Sequence, residues 1–303
     1  MTTRRFGSRA VELSNQDKVF FPKDGLTKGD LVDYYQRVAN HLLPHIENRP
    51  LVVQRFPDGI GGDGFYQKQV GDHFPDWIRT VKVELAGSGD TQELAVCDDV
   101  SSLVYLANQA CVVLHPWLSR ADELEHPDSL IVDLDPPRGD DFPAVRHAAR
   151  EVRALFEELG LPSFLKLTGS KGVHVVVPLD GHADFDTVRS FAREAMALLA
   201  DRHADALTTE QRRDQRRGRI FLDVGRNAYG QTAVAPYSVR PLPGAPVSAP
   251  IDWEELGRVG PRHLTTQNVF RRLAQRADPW KDLRRRAHSL RGPAETLRGM
   301  KGQ

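Results

Sequence analysis

The chain is poor in cysteine: Cys97 and Cys111 are the only two in 303 residues. Both stand in apolar segments and lack metal-ligand spacing. This excludes a disulfide scaffold and a cysteine metal site, and predicts a reduced, intracellular protein. Excess charge of either sign is missing as well, since 41 Lys and Arg balance 41 Asp and Glu. No global field draws the protein onto a polyanion, so any nucleic-acid site depends on local clusters of Lys and Arg. No run of about 18 apolar residues occurs, and the first residues carry no apolar signal core. The reading therefore predicts no membrane contact and a cytoplasmic location. Internal repeats and long low-complexity linkers are also absent. What remains is an ordinary globular composition, 40 % hydrophobic and 27 % charged, long enough for one large or two ordinary domains.

Within that composition the helix and strand signals are clear. After a polar lead-in over residues 1–12, Thr27 reads as an N-cap, with Leu31, Tyr34, Tyr35, Val38 and Leu42 at helical spacing. Leu51 to Phe56 reads as a strand closed by Pro57, and the glycine-rich loop behind it delivers Phe65, Tyr66 and Lys68. Two alternating runs flank Gly87-Ser88-Gly89 as a hairpin, Asp98 and Asp99 precede a helix, and a short apolar run leads into His115-Pro116-Trp117. From Ser129 the order is strand, helix, two strands joined by Thr168 to Gly172, helix, and a strand from Ile220. That β-α-β-β-α-β order belongs to a ferredoxin-like or RNA-recognition-type sheet, in which strands 1 and 3 are neighbours. Val234 to Val239 reads as one more strand, and the chain beyond Asp252 as mostly helical with a basic, polar tail.

The chemistry centres on Ser129-Leu130-Ile131-Val132-Asp133-Leu134-Asp135-Pro136-Pro137. Strand alternation points Asp133 and Asp135 to one side, and the prolines end the strand there. Two carboxylates so close repel unless a cation compensates, and hard divalent ions such as Mg²⁺ or Mn²⁺ do so. Taken alone, Asp-x-Asp is more often a polar strand end capped by a turn. Asp223 ends another apolar strand and supplies a third carboxylate if its strand end projects to the same side. Three carboxylates on one sheet rim suit a two-metal site for phosphoryl transfer. In the Thr168 to His174 hairpin, Gly169 and Gly172 let backbone N–H groups approach a polyanion, and Ser170 and Lys171 add a hydroxyl and a cation. His174 points out of an otherwise apolar strand. A glycine turn with a satisfied histidine accounts for the same residues. Arg226 and Arg240 suit phosphate oxygens. Lys18, Lys23 and Lys28 form a basic cluster, and Phe65 offers a stacking face.

Six short motifs stand in one order: Asp17-Lys18, Arg55 to Gly59, His115 to Trp117, Asp133 to Pro136, Gly169 to His174 and Ala235 to Arg240. Over Leu13 to Leu290 the chain resembles the polymerase domain of the bacterial non-homologous end-joining ligase D family, a branch of the archaeo-eukaryotic primase superfamily. The resemblance implies an α+β primase-polymerase fold with an RRM/ferredoxin-like catalytic sheet and an N-terminal α/β module. It implies a flexible lead-in over 1–12, one domain over 13–290 and a polar tail over 291–303. Within that domain it sets a DNA-contacting module over 13–97 and a catalytic core over 98–290.

By the same resemblance, Asp133, Asp135 and Asp223 hold two metal ions, with Mn²⁺ favoured over Mg²⁺. Ser170, Lys171, Gly172 and His174 form the nucleotide loop. His115, Arg226 and Arg240 also lie at the nucleotide, and Arg55 and Lys68 stand near the cleft. Asn15, Lys18 and Lys28 form a pocket for the 5′-phosphate of a downstream DNA end. Phe65 and Tyr66 stack on DNA, and Arg216 sits in a basic loop near the template.

The implied activity is extension of primer 3′ ends into short gaps or break ends with NTPs or dNTPs, ribonucleotides preferred, on the nucleoid. With no ligase or nuclease motifs, the chain reads as a stand-alone polymerase served by a separate ligase and Ku. Two rivals stay open: a de novo primase, and a non-catalytic DNA-end-binding module that recruits a ligase or Ku.

Overall fold

The computed structural model describes residues 2–85, 87, 89–136 and 141–301. Expectations for Met1, for Ser88 in the predicted turn, for Pro137 at the strand end and for residues 302–303 of the tail lie outside the described residues. The chain divides into two units. One comprises Met1–Asp122, Thr232–Ala249 and Leu264–Arg276; the other comprises Glu123–Gln231, Pro250–His263 and Ala277–Gln303.

The first unit begins with a correction. The lead-in predicted as flexible is an antiparallel hairpin of β1 (Thr2–Phe6) and β2 (Arg9–Leu13). Only Val11 and Leu13 of it are buried, and apart from a half-buried Phe6 the other positions are polar or exposed, so periodicity gives little signal. Helix α1 (Lys28–Ile46) starts where Thr27 predicts. The Thr27 side chain accepts from the Asp30 N–H, and the Asp30 carboxylate accepts from the Thr27 N–H. Its buried stripe is the predicted one, and the Tyr35 hydroxyl donates to Val112 O at 2.7 Å, so burying the ring orphans no polar atom.

Strand β3 (Pro50–Arg55) pairs with β4 (Phe65–Gln67) and, in the same sheet, with β6 (Thr91–Val96) and β7 (Cys111–Pro116); β5 (Thr80–Glu84) pairs with β6. Asp99 caps α2 (Val100–Asn108). Because β7 pairs with β3, the first unit runs on to Asp122 and does not stop at residue 97. Residues 234–239 are no strand. Pro236 and a left-handed Tyr237 (φ 63°) interrupt the run, and a single bridge joins Val239 to Val247.

The second unit follows the predicted order. Strand β8 (Ser129–Asp135), helix α3 (Phe142–Glu158), β9 (Phe164–Leu167), β10 (Val173–Pro178), helix α4 (Phe185–Arg202), β11 (Leu207–Thr208) and β12 (Ile220–Asp223) form it. They line up as β11-β12-β8-β10-β9, with Ala249–Ile251 at the far edge. The four strands of the β-α-β-β-α-β unit pair antiparallel, with strands 1 and 3 adjacent as predicted and strand 4 on the other side of strand 1. Asp141 caps α3, and Gly160 at φ 73° turns the chain beyond its end.

One face of this sheet is apolar: Leu130, Val132, Leu134, Leu165, Leu167, Val173, Val175, Val177, Ile220 and Leu222 are all buried. Helices α3 and α4 pack on the sheet with stripes such as Val145, Val152, Val188 and Ala192. Each buried Val or Leu among these side chains contributes about 1.5–3 kcal/mol. The opposite face carries Ile131, Val176 and Phe164 in one row and, toward the end of β8, a row of polar residues. In the stretch beyond Asp252, Arg291–Lys301 is a helix (α5) that buries Leu297. Among the described residues no helix is long and apolar enough to cross a membrane.

Candidate active site

Register makes neighbours of residues far apart in sequence. Asp133 on β8 lies opposite Asp223 on β12 on one side and His174 on β10 on the other. His174 in turn lies opposite Lys166 on β9. Directly opposed residues share a face. Asp223, Asp133, His174 and Lys166 thus form a row across the sheet, and Asp135, two residues along β8, stands on the same face. The condition that sequence left open, whether the Asp223 strand end joins the Asp-x-Asp rim, is met.

The row is mostly buried. The His174 ring is 3 % exposed, its Nε2 lies 3.5 Å from Asp133 Oδ1, and its Nδ1 has no hydrogen-bond partner among the described residues. Arg226 Nε lies 3.6 Å from Asp133 Oδ2. Burial pushes the Asp133 carboxyl up, but His174, Arg226 and Lys166 outweigh it and hold the group below the usual carboxylate range. Burial also pulls the His174 imidazole down, against the attraction of Asp133. Near pH 7 the pair is a carboxylate beside a neutral imidazole, with the fixed cations supplying the positive charge.

Lys166 is a member of the row that sequence reasoning missed. It is 2 % exposed, and its Nζ lies 5.9 Å from the centre of the Trp280 ring. Its signal was present in Phe-Leu-Lys-Leu, a lysine inside an otherwise apolar strand. Only the pairing with His174 shows which face it takes.

The hairpin between β9 and β10 is built by Thr168, also missed. Its hydroxyl donates to Gly172 O at 3.0 Å and accepts from the N–H groups of Ser170 and Gly172 at 3.3 and 3.2 Å. Two of the N–H groups expected to face a polyanion are thus turned inward. Arg262 Nε donates to Ser170 O at 2.8 Å and anchors the tip. Gly172 has a different reason to be glycine than loop freedom: a Cβ there would overlap Leu134 O and Asp135 Oδ1. The hairpin therefore sits against the end of β8, with Ser170 half-buried and Lys171 exposed.

At the other side of the row, Asp223 Oδ1 accepts from Gly225 N at 2.7 Å. Asn227, fully buried and likewise missed, accepts from Ile131 N at 2.8 Å and donates to Ile131 O at 2.7 Å and Val224 O at 2.9 Å. It extends the β8 ladder by one side chain and holds the turn that carries Arg226. Arg216 lies 4.0 Å over the Phe221 ring and donates to Glu210 O and Gln211 O, so it staples its own loop.

The donor set fits a hard divalent cation. Three carboxylates share one face, and the buried Asp133 Oδ1 accepts no hydrogen bond among the described residues. Among the described residues no three His, Cys, Asp or Glu side chains are already gathered round one point. The Asp223 bond to Gly225 accounts for part of this, since it turns one oxygen to the backbone.

The other predicted residues belong to the first unit. Asn15 is left-handed (φ 51°) and its carbonyl accepts from Lys18 N; Lys18 O accepts from Lys28 N. The three thus meet at the start of α1. Lys28 Nζ donates to Ser14 O at 2.7 Å, and Lys18 Nζ pairs with Asp58 at 2.7 Å. Burial, with the charges of Lys18 and Arg55, pulls the Lys28 ammonium down to about 8. Phe65 and Tyr66 are 48 % and 58 % exposed, so both rings are open to solvent. Arg55 lies 5.7 Å over Phe65 and donates to Gln109 O and Gln67 Oε1, and Tyr66 contacts the His115 ring at 5.6 Å between centroids. Lys68 is exposed just past β4, and Arg240 N donates to Pro246 O.

Comparison with known proteins agrees with this geometry. The model of the LigD primase-polymerase domain matches residues 27–280. The chain is 31 % identical over 278 residues to a bifunctional non-homologous end joining protein LigD of Bacillus subtilis, covering 91 % of this chain and 44 % of that protein. It is 32 % identical over 281 residues to a multifunctional LigD protein of Pseudomonas aeruginosa, covering 92 % and 33 %. The chain thus spans less than half the length of these relatives. Among solved structures, the polymerase domain of Mycobacterium tuberculosis ligase D in complex with DNA superposes with a TM-score of 0.85 at 31 % identity, covering 92 % of this chain and 99 % of that one. The motifs, the sheet order and these matches agree: the chain belongs to the LigD primase-polymerase domain family.

Proposed function

We propose that this chain is a nucleotidyltransferase that extends primer 3′ ends in DNA repair, filling short gaps or break ends with NTPs or dNTPs. The carrying observation is the row Asp223-Asp133-His174-Lys166, with Asp135 on its face and the Ser170-Lys171 hairpin against the end of β8. Binding alone has no use for three aspartates on one face, since they repel DNA.

In the proposed reaction the primer 3′-oxygen bonds to the α-phosphorus of the nucleotide, the bond to pyrophosphate breaks and pyrophosphate departs, and the 3′-OH proton passes to water. Ser170 and Lys171 bind the triphosphate tail, and Arg226 offsets its charge beside Asp133. Arg55, Lys68, His115 and Arg240 are proposed as further nucleotide contacts, and Arg216 as a template-side one. Asp133, Asp135 and Asp223 are the residues to hold two Mn²⁺ or Mg²⁺ ions. When bound, these supply charge neutralisation and a more acidic 3′-OH. Asn15, Lys18 and Lys28 form the pocket for a downstream 5′-phosphate, and Phe65 and Tyr66 stack on DNA without reading sequence. A DNA ligase activity and Ku are the proposed partners.

The test is extension of a gapped duplex, with and without the 5′-phosphate, comparing NTP with dNTP and Mn²⁺ with Mg²⁺. Nucleotide addition stimulated by the phosphate is expected. Tight binding of gapped DNA with no addition under any condition contradicts the reading, and efficient synthesis on unprimed template would make the protein a primase.

A further inference from the structure

Beside Asp223 the second unit holds a cavity of roughly 590 Å³ that the proposed chemistry leaves unused. Its walls include Arg189 and Arg193 of α4, Gln211, Phe221 and Gly225. The two arginines stand four residues apart, on one side of the helix. Arg189 is half-buried, and its Nε has no hydrogen-bond partner among the described residues. Neither arginine makes an ion pair among them. An arginine held part-way out of water with an unused donor is a costly arrangement that an anion relieves.

The position of the cavity in the sheet suggests which anion. The order β12-β8-β10-β9 puts the Ser170-Lys171 hairpin on one side of Asp133 and Asp135, and Asp223 with this cavity on the other. In-line displacement sets the attacking oxygen and the departing pyrophosphate on opposite sides of the α-phosphorus. With the triphosphate tail at the hairpin, the primer end arrives from the β12 side. We propose that Arg189 and Arg193 form a subsite for the phosphodiester backbone of the primer strand just upstream of its 3′ end. The inference rests on the polymerase reading above and adds where its second substrate lies. The contact is to backbone and not to base: Arg216 already covers Phe221, the aromatic ring in the wall, at 4.0 Å. The subsite therefore reads charge and carries no sequence preference.

The test compares wild type with Arg193→Ala, an exposed position that leaves the core untouched, and with Arg189→Ala/Arg193→Ala and Arg189→Lys/Arg193→Lys. Steady-state extension should show the primer–template KM rising about tenfold in the double alanine variant, with the NTP KM within about twofold and partial recovery in the lysine variant. Anisotropy of a fluorescein-labelled primer–template, without metal or nucleotide, gives a second readout that needs no catalysis. The slope of log affinity against log salt should become shallower by about one to two in the double alanine variant. An unchanged primer KM and salt slope overturns the subsite, as does a rise in the NTP KM in place of the primer KM. If wild type extends no primer, the polymerase reading fails by itself, and the anisotropy arm still decides whether these arginines hold the strand.

Discussion

Lys166 is a buried cation at one end of the row. A buried lysine costs folding energy that an apolar side chain of similar volume does not. Its retention opposite His174 is explained by its charge, which helps to hold Asp133 ionised. Lys166→Met takes one compensating cation from the buried Asp133 carboxylate, so it is expected to melt below wild type and, once folded, to extend primers about tenfold more slowly. Thermal melts and single-turnover extension check the two halves separately, and a variant that merely loses stability contradicts this role.

Lys28 gives a pH prediction. Its pKa in the folded protein, about 8, lies below the ordinary 10.5, so it is charged below about pH 8 and increasingly neutral above it. Across that window the unfolded chain binds more protons than the folded one, so the cost of burying the ammonium is relieved as pH rises. Attraction for a phosphate weakens at the same time. The preference for 5′-phosphorylated gaps should fade as pH passes about 8. In Lys28→Arg, whose charge does not titrate there, the profile should be flat. Lys18→Ala/Lys28→Ala should erase the preference at every pH, and rates on phosphorylated and plain gaps measured across pH decide it.

At the scale of elements, two connections fix the row: the Thr168 hairpin and the Asn227 turn. Asn227→Ala leaves the Ile131 N–H and C=O buried without their partner, at a cost of about 2–4 kcal/mol. Urea unfolding should show this as a lower midpoint with an unchanged slope, and the folded fraction should extend primers poorly because Arg226 and Asp223 lose their support. These elements also show how much was legible in the sequence. Local signals sufficed for the caps at Thr27, Asp99 and Asp141, and for the two helices and four strands of the catalytic sheet. The Asp-x-Asp face could be read because alternation is local. What stayed hidden depended on register between distant strands, such as the face of Lys166, or on a single side chain such as Asn227 mimicking a strand. The hairpin of β1 and β2 was hidden because backbone pairing holds it together and few of its side chains are buried.

For the whole molecule, family membership rests on a match over most of this chain, while the relatives are more than twice as long. The account therefore stands on what this domain does by itself, and its central claim is that the aspartates are catalytic. The most direct measurement is extension of a gapped duplex by wild type and by Asp133→Asn/Asp135→Asn, with NTP and Mn²⁺, on protein whose melting curves match. The account predicts addition by wild type and a loss of about a thousandfold or more in the double variant, because the amides keep the shape and remove the charge. Extension by the folded double variant at a rate near that of wild type would contradict it.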